Sequence, residues 1–245
     1  MDNLIDSLSD IVAAKHVLTG DAISEEYTHG EALTVEPHDP DVVVRPATTE
    51  QVSRVLRLAN EAGIPVTARG NGTGLSGACI PTRGGIVLCF ERMNRVLEID
   101  TENHVAVVEP GVTLAELDEA TGERGLIYPI FPGESSATLG GNIATNAGGM
   151  RAVKYGVTRH HVLGLEAVLA DGQVIQTGGK LVKTSSGYDL TQLIIGSEGT
   201  LAVVTRIILK LIPRLQHRST LLAASSRSTR SRAPCPSWSP PVSVR

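Results

Sequence analysis

Glycine placement constrains this chain more than any other feature. Three stretches concentrate it: RGNGTGLSG (residues 69–77), FPGESSATLGGNIATNAGG (131–149) and GYDLTQLIIGSEGTLAVVTRIILKL (187–211). Glycine permits positive φ and lets a ligand reach backbone N–H groups. Successive N–H groups facing one concavity form an anion nest. The first stretch follows a strand-like run, IPVTA (64–68), and therefore reads either as a phosphate cradle or as an ordinary tight turn. It is neither common phosphate motif. A Walker loop ends in Gly-Lys-Ser/Thr, which is absent here. Residues 72–77 fit G-x-G-x-x-G, but Pro81, Gly84 and Gly85 forbid the long helix that a dinucleotide fingerprint opens.

Between the glycine stretches the periodicity is that of an α+β protein with many short strands and few helices. Residues 4–12 form an amphipathic helix (Leu4, Ile5, Leu8, Ile11, Val12) with no basic start and no continuous apolar core, so they do not read as a signal peptide. A short buried strand is expected over 42–45. A helix capped by Thr49 and ended by Gly63 follows, then a strand over 65–68. Further strands are expected over 86–90, 96–100 and 105–109, and a helix over 113–123. Residues 162–177 read as a hairpin turning at Asp171-Gly172, and a long β-branched strand follows residue 200.

Charge narrows the function class. From His217 to the end there are five Arg and no Asp, Glu or Lys. The rest of the chain holds 17 Lys and Arg against 26 Asp and Glu, and so acidic a body is not a nucleic-acid binder. Cys79, Cys89 and Cys235 show no metal spacing and no even framework, so no metal site and a reducing, cytoplasmic compartment are expected.

Taken in order and spacing, the three glycine stretches resemble the signatures of the FAD-linked oxidase family with the PCMH, or vanillyl-alcohol oxidase, fold. GGMRAVKYGVTRHHVLGLEAVLADG (148–172) resembles its branch of glycolate oxidase FAD-linked subunits and D-lactate dehydrogenases. The resemblance spans roughly residues 40–215 and implies a PCMH-type FAD-binding domain of two α/β subdomains. The smaller would cover about 42–108 and the larger, antiparallel one would run to about 213. It implies FAD as cofactor, with the diphosphate cradled by Gly70, Asn71, Gly72, Thr73 and Gly74. Thr138, Gly140, Gly141, Asn142, Thr145 and Asn146 would line the flavin and ribityl side. Glu198, Gly199 and Val203 would approach the adenine or ring edge through backbone, although Glu198 and Asn146 read equally well as turn caps. Some relatives attach FAD through a histidine near the first turn; residues 69–77 hold none, so non-covalent binding is expected. On a strand, His160 and His161 would point to opposite sides and not act together, so they read as ordinary loop or strand-edge residues rather than as a base or metal pair.

The activity implied is oxidation of a small 2-hydroxy acid such as glycolate or D-lactate, with the electron acceptor and catalytic residues unassigned. In the resembling family a C-terminal cap domain, with cations for the substrate carboxylate and a histidine-rich metal site, does much of that work. Here the pattern stops near Leu215, so the cap is expected to be absent. The expected division is an N-terminal helix and irregular lead-in (1–39), the FAD domain (40–215) and a disordered tail (216–245) whose Arg, Ser and Pro content suits a shifted reading frame. Two alternatives stand beside the enzyme: an inactive or partner-dependent FAD-binding fragment, and a UDP-sugar reductase of the same fold. If the chain builds a substrate site by itself, Arg69, Arg151, Lys154 and Arg159 are its first cations.

Overall fold

The computed structural model describes residues 2–216, so the Arg- and Ser-rich stretch from His217 onward lies outside the described residues. The chain opens with α1 (Asp2–Val12) and β1 (Val17–Leu18), then runs through an irregular segment to β2 (Val42–Val44). Next come α2 (Thr49–Ala62), β3 (Val66–Arg69) and β4 (Ile86–Cys89). These strands form a four-stranded sheet in the order β1-β2-β4-β3, with β2 and β3 both parallel to β4. Parallel strands covered on both faces need continuous apolar runs rather than alternation. Val42, Val43 and Val44 are all fully buried for this reason. One face receives Leu8 and Val12 of α1 and Val52, Val55 and Ala59 of α2. The other receives Tyr27 from the lead-in, against Val43 and Val87. The N-terminal helix is therefore part of this core.

Helix α2 is capped by Thr48, not Thr49: the Thr48 backbone is extended and its side chain accepts from the Gln51 N–H at 3.2 Å. The Thr49 hydroxyl is committed elsewhere, donating to Glu166 at 2.7 Å. Gly63 ends the helix at φ +64°, which a glycine meets without strain.

The second unit is antiparallel. It contains β5 (Val96–Asp100), β6 (Val105–Val108), α3 (Leu114–Gly122), β7 (Leu126–Ile127), α4 (Leu139–Thr145) and α5 (Ala152–Tyr155). It continues with β8 (Val162–Val168), β9 (Val174–Gly178), α6 (Leu190–Ile194), β10 (Val203–Lys210) and β11 (Ile212–Pro213). The sheet order is β5-β6-β10-β8-β9. Strands β5 and β6, expected with the smaller subdomain, belong here because β6 pairs with β10 in the register Val108 opposite Ile207. The core beneath the sheet gathers Leu117, Leu139, Ile143, Leu165, Ile207 and Leu209. Helix α4 was not expected at all. His160 and His161 lie in a 3₁₀ turn (Thr158–His161) that leads directly into β8.

The two sheets are joined by a polar pin. Glu166 on β8, 9% exposed, accepts from Thr49 at 2.7 Å and Thr205 at 3.1 Å and pairs with Arg206 at 3.4 Å. Ser53 adds a 2.5 Å bond to the Gly172 carbonyl. Truncating Glu166 leaves the Thr49 hydroxyl without its acceptor, reduces Thr205 to its bond with the Glu166 backbone carbonyl and unpairs Arg206. Glu166→Ala is expected to lower stability by about 2 kcal/mol, read from urea unfolding. Among the described residues no helix is long and apolar enough to cross a membrane.

Candidate functional site

The three glycine stretches, distant in sequence, converge on α4. Thr138 caps that helix, its side chain accepting from the Gly141 N–H at 3.3 Å, and this closure tolerates two glycines in a seven-residue helix. Gly70 of the first stretch lies so close that a β-carbon there would overlap the Thr138 hydroxyl. Asn71 Nδ2 donates to the Ser136 carbonyl at 2.8 Å. On the far side, Gly140 donates to the Pro110 carbonyl at 2.8 Å, and a β-carbon on Gly140 would stand 2.8 Å from Pro110 Cβ. The glycines at 70 and 140 are thus set by close approach.

The third stretch docks on the other end of α4. Helix C-termini leave carbonyls free. Here the N–H groups of Gly196 and Glu198 satisfy two of them, Ile143 at 2.9 Å and Ala144 at 2.8 Å. Asn146 follows the helix at φ +50° and accepts the Arg159 N–H at 3.0 Å through its side chain. Glu198 sits at φ +51°, and its carboxylate accepts the Ser76 hydroxyl at 3.1 Å, tying the third stretch to the first.

The result is a cleft between the end of β3, the start of α4 and the turn before β10. Of the residues singled out from sequence, Gly70, Thr138, Gly140, Gly141, Gly199 and Val203 line it. Asn71, Gly72, Thr73 and Gly74 form the adjoining turn, with φ +73° at Gly72 and open space around the missing β-carbon of Gly74. Asn142, Thr145, Asn146 and Glu198 do not line the cleft. Thr145 donates to the Gly141 carbonyl at 3.0 Å, and Asn142 is 3% exposed, with no hydrogen-bond partner for Nδ2 among the described residues. Arg69, a candidate cation from sequence, also lines the cleft, as do Pro110 and Ala202, which no sequence pattern assigned there. A second hollow, walled by Val66, Val168 and Leu201, shares Ala68, Gly199, Ala202 and Val203 with the first.

These features fit a dinucleotide. A glycine-rich turn suits a diphosphate, the apolar cleft wall of Ile143, Ile194 and Val203 suits a flat ring, and Arg69 brings a buried cation to that wall. The other sequence-picked cations are engaged locally. Arg151 stacks on Phe131 at 5.5 Å, Lys154 lies over Tyr155 at 4.9 Å, and Arg159 donates to the Ile195 carbonyl at 3.2 Å. No cluster of His, Cys, Asp or Glu among the described residues could hold a metal.

The two histidines have separate surroundings. His160 Nδ1 accepts the Val157 N–H at 3.0 Å. His161 is 7% exposed, bonds to the Tyr155 carbonyl at 2.9 Å through Nε2, and meets Tyr128 edge-on. Burial holds the His161 imidazole below its ordinary value of 6.5. The unfolded chain therefore takes up this proton at a higher pH than the folded one. Its contribution to stability is complete above pH 6.5 and is lost as the pH falls below that value. Urea midpoints are expected to fall on acidification from neutrality, and less steeply in His161→Gln.

Comparison with known proteins agrees with this geometry. A family model described as an FAD binding domain matches residues 40–178, more than half of the chain. An uncharacterised FAD-linked oxidoreductase of Mycobacterium tuberculosis is 58% identical over 223 residues, 91% of this chain and 49% of the relative. A D-lactate dehydrogenase of Archaeoglobus fulgidus is 54% identical over 180 residues, 74% of this chain and 40% of the relative. The chain thus spans about half the length of the curated relatives it matches. The solved structure of p-cresol methylhydroxylase superposes with a TM-score of 0.76 at 24% identity, covering 88% of this chain and 44% of that one, which establishes the PCMH-type fold. With its cleft built from the same glycine stretches that the match spans or adjoins, the chain belongs to the FAD-binding domain family of FAD-linked oxidoreductases.

Proposed function

We propose that this chain is the FAD-carrying part of a 2-hydroxy-acid oxidoreductase, acting on a small substrate of the D-lactate or glycolate type. The observation that carries the reading is the convergence of three glycine stretches on one cleft, to which they contribute Gly70, Gly140, Gly141 and Gly199, in a chain 54% identical to a D-lactate dehydrogenase over 180 residues. Bound FAD supplies a two-electron acceptor for the hydride on the substrate's α-carbon. The amides of Gly70, Asn71, Gly72, Thr73 and Gly74 hold the diphosphate. Thr138, Gly140, Gly141, Asn142, Thr145 and Asn146 shape the flavin and ribityl wall, Thr145 and Asn146 by fixing α4 and its exit and Asn142 from within the buried face of α4, rather than by lining the cleft. Glu198, Gly199 and Val203 border the adenine or ring edge. The free thiols Cys79 and Cys89 accord with a cytoplasmic site of action.

FAD is held without a covalent bond, since the first turn has no histidine. Acid precipitation of the flavin-loaded protein is expected to release all the yellow colour; flavin left in the pellet would sink this.

A second reading, a partner-dependent FAD carrier, is favoured by exposed apolar side chains near the glycine stretches: Leu75, Met150, Val153, Tyr188 and Leu193. It also draws on Arg151, Lys154 and Arg159 being engaged locally. On this reading residues 1–245 bind FAD but turn over neither D-lactate nor glycolate with an artificial electron acceptor. Robust turnover by the single purified chain favours the self-sufficient enzyme instead.

A further inference from the structure

Arg69 ends β3 and is 6% exposed. Its guanidinium makes one hydrogen bond among the described residues, Nη1 donating to the His29 carbonyl at 2.7 Å. The ion pairs among the described residues employ Arg45, Arg95, Arg124, Lys180, Arg206 and Arg214, and none uses Arg69. A cation taken out of water without a carboxylate is costly, and proteins rarely retain one unless an anion arrives to pair with it.

Its location says which anion. The β-carbon that Gly72 lacks would overlap this guanidinium, so the charge lies directly against the glycine turn, and Arg69 lines the cleft beside Gly70. Residues 29–31 hold it there. The Glu31 N–H donates to the Gly72 carbonyl at 3.1 Å. A β-carbon on Gly30 would stand 2.8 Å from Cys79 Sγ and 2.9 Å from the Gly72 oxygen. This strap precedes residues 40–178, which the family model matches.

We propose that Arg69 is the fixed countercharge for the cofactor's diphosphate, fastened beneath the turn by a strap of residues 29–31, and that it is not a cation for the substrate carboxylate. The inference rests on the reading that the glycine turn receives the FAD diphosphate. A guanidinium against the turn attracts a diphosphate strongly because the cleft wall excludes water. A purely structural fastener for the His29 carbonyl would need a donor but no charge.

The test is binding of FAD, ADP and adenosine to the full-length chain, followed by calorimetry and flavin fluorescence. Arg69→Met is expected to weaken FAD and ADP by roughly thirtyfold, the scale of one charge-assisted hydrogen bond, and to leave adenosine nearly unchanged. Arg69→Lys is expected to recover most of the loss. Equal weakening of adenosine and ADP, or no recovery with lysine, overturns the countercharge role. So does wild-type FAD affinity in a folded Arg69→Met. If Arg69→Met fails to fold, the wild-type protein decides: FAD and ADP affinity should fall several-fold between low and high salt while adenosine does not. An absent salt effect overturns the proposal. A wild-type chain that binds no FAD instead overturns the cofactor reading beneath it.

Discussion

Gly72→Asp is expected to abolish FAD binding while leaving a folded protein. The backbone at Gly72 is at φ +73°, a region where aspartate and asparagine are among the better-tolerated residues, at a cost of about 1 kcal/mol. The new side chain would emerge against the Arg69 guanidinium and push it aside. Its carboxylate then pairs with the cation that the diphosphate would otherwise meet, and it sets a negative charge at the turn. Both effects oppose the same ligand. A loss of FAD affinity of at least a hundredfold is expected by titration, the sum of one lost attraction and one gained repulsion. Gly72→Asn keeps the shape without the charge and is expected to lose far less. Equal losses in the two variants would mean that the turn fails for steric reasons alone.

Gly140→Val is expected to cost more in structure. Its β-carbon would stand 2.8 Å from Pro110 Cβ and 3.0 Å from the Pro110 carbonyl oxygen, to which the Gly140 N–H already bonds. Part of the obstacle is backbone, so no rotamer change relieves it. The start of α4 must lift away from Pro110. Overpacking of this kind costs about 2 kcal/mol, and the cleft floor moves with the helix. A lowered melting temperature together with lost flavin retention is the expected pair of results. Normal flavin content after purification would show that α4 does not shape the site.

Much of the architecture was legible in local signals. Strand 96–100, the end of α2 at Gly63 and the hairpin at Asp171-Gly172 all follow from periodicity and turn chemistry. What escaped was decided by distant contacts. Helix α4 was hidden because Gly140 and Gly141 argue against a helix; it forms because Thr138 caps it and the Gly196 and Glu198 amides close its far end. Asn146 and Glu198 read equally as ligand contacts or turn caps; Asn146 ends α4 and accepts from Arg159, and Glu198 accepts from Ser76 at the cleft's edge. Pro110 and the strap at 29–31 carry no pattern of their own, since their role exists only where the Gly140 and Gly72 backbones come close to them. The placement of β6 beside β10 joins residues about a hundred positions apart, beyond any sequence window.

Convergence of the three stretches on α4 also fixes when the site can exist during synthesis. Its walls come from residues 68–70 at the end of β3, α4, the turn at 197–199 and the start of β10. A growing chain that has exposed only its first 150 residues can pair β2, β3 and β4, but it lacks the amides of Gly196 and Glu198 that close α4 and lacks β10. Flavin therefore cannot template the early steps. On the proposed placement it meets a cleft completed only after Val203 and β10 have left the ribosome, and until then the first sheet has α1 and α2 over it but lacks Val168 and Val203 of its core.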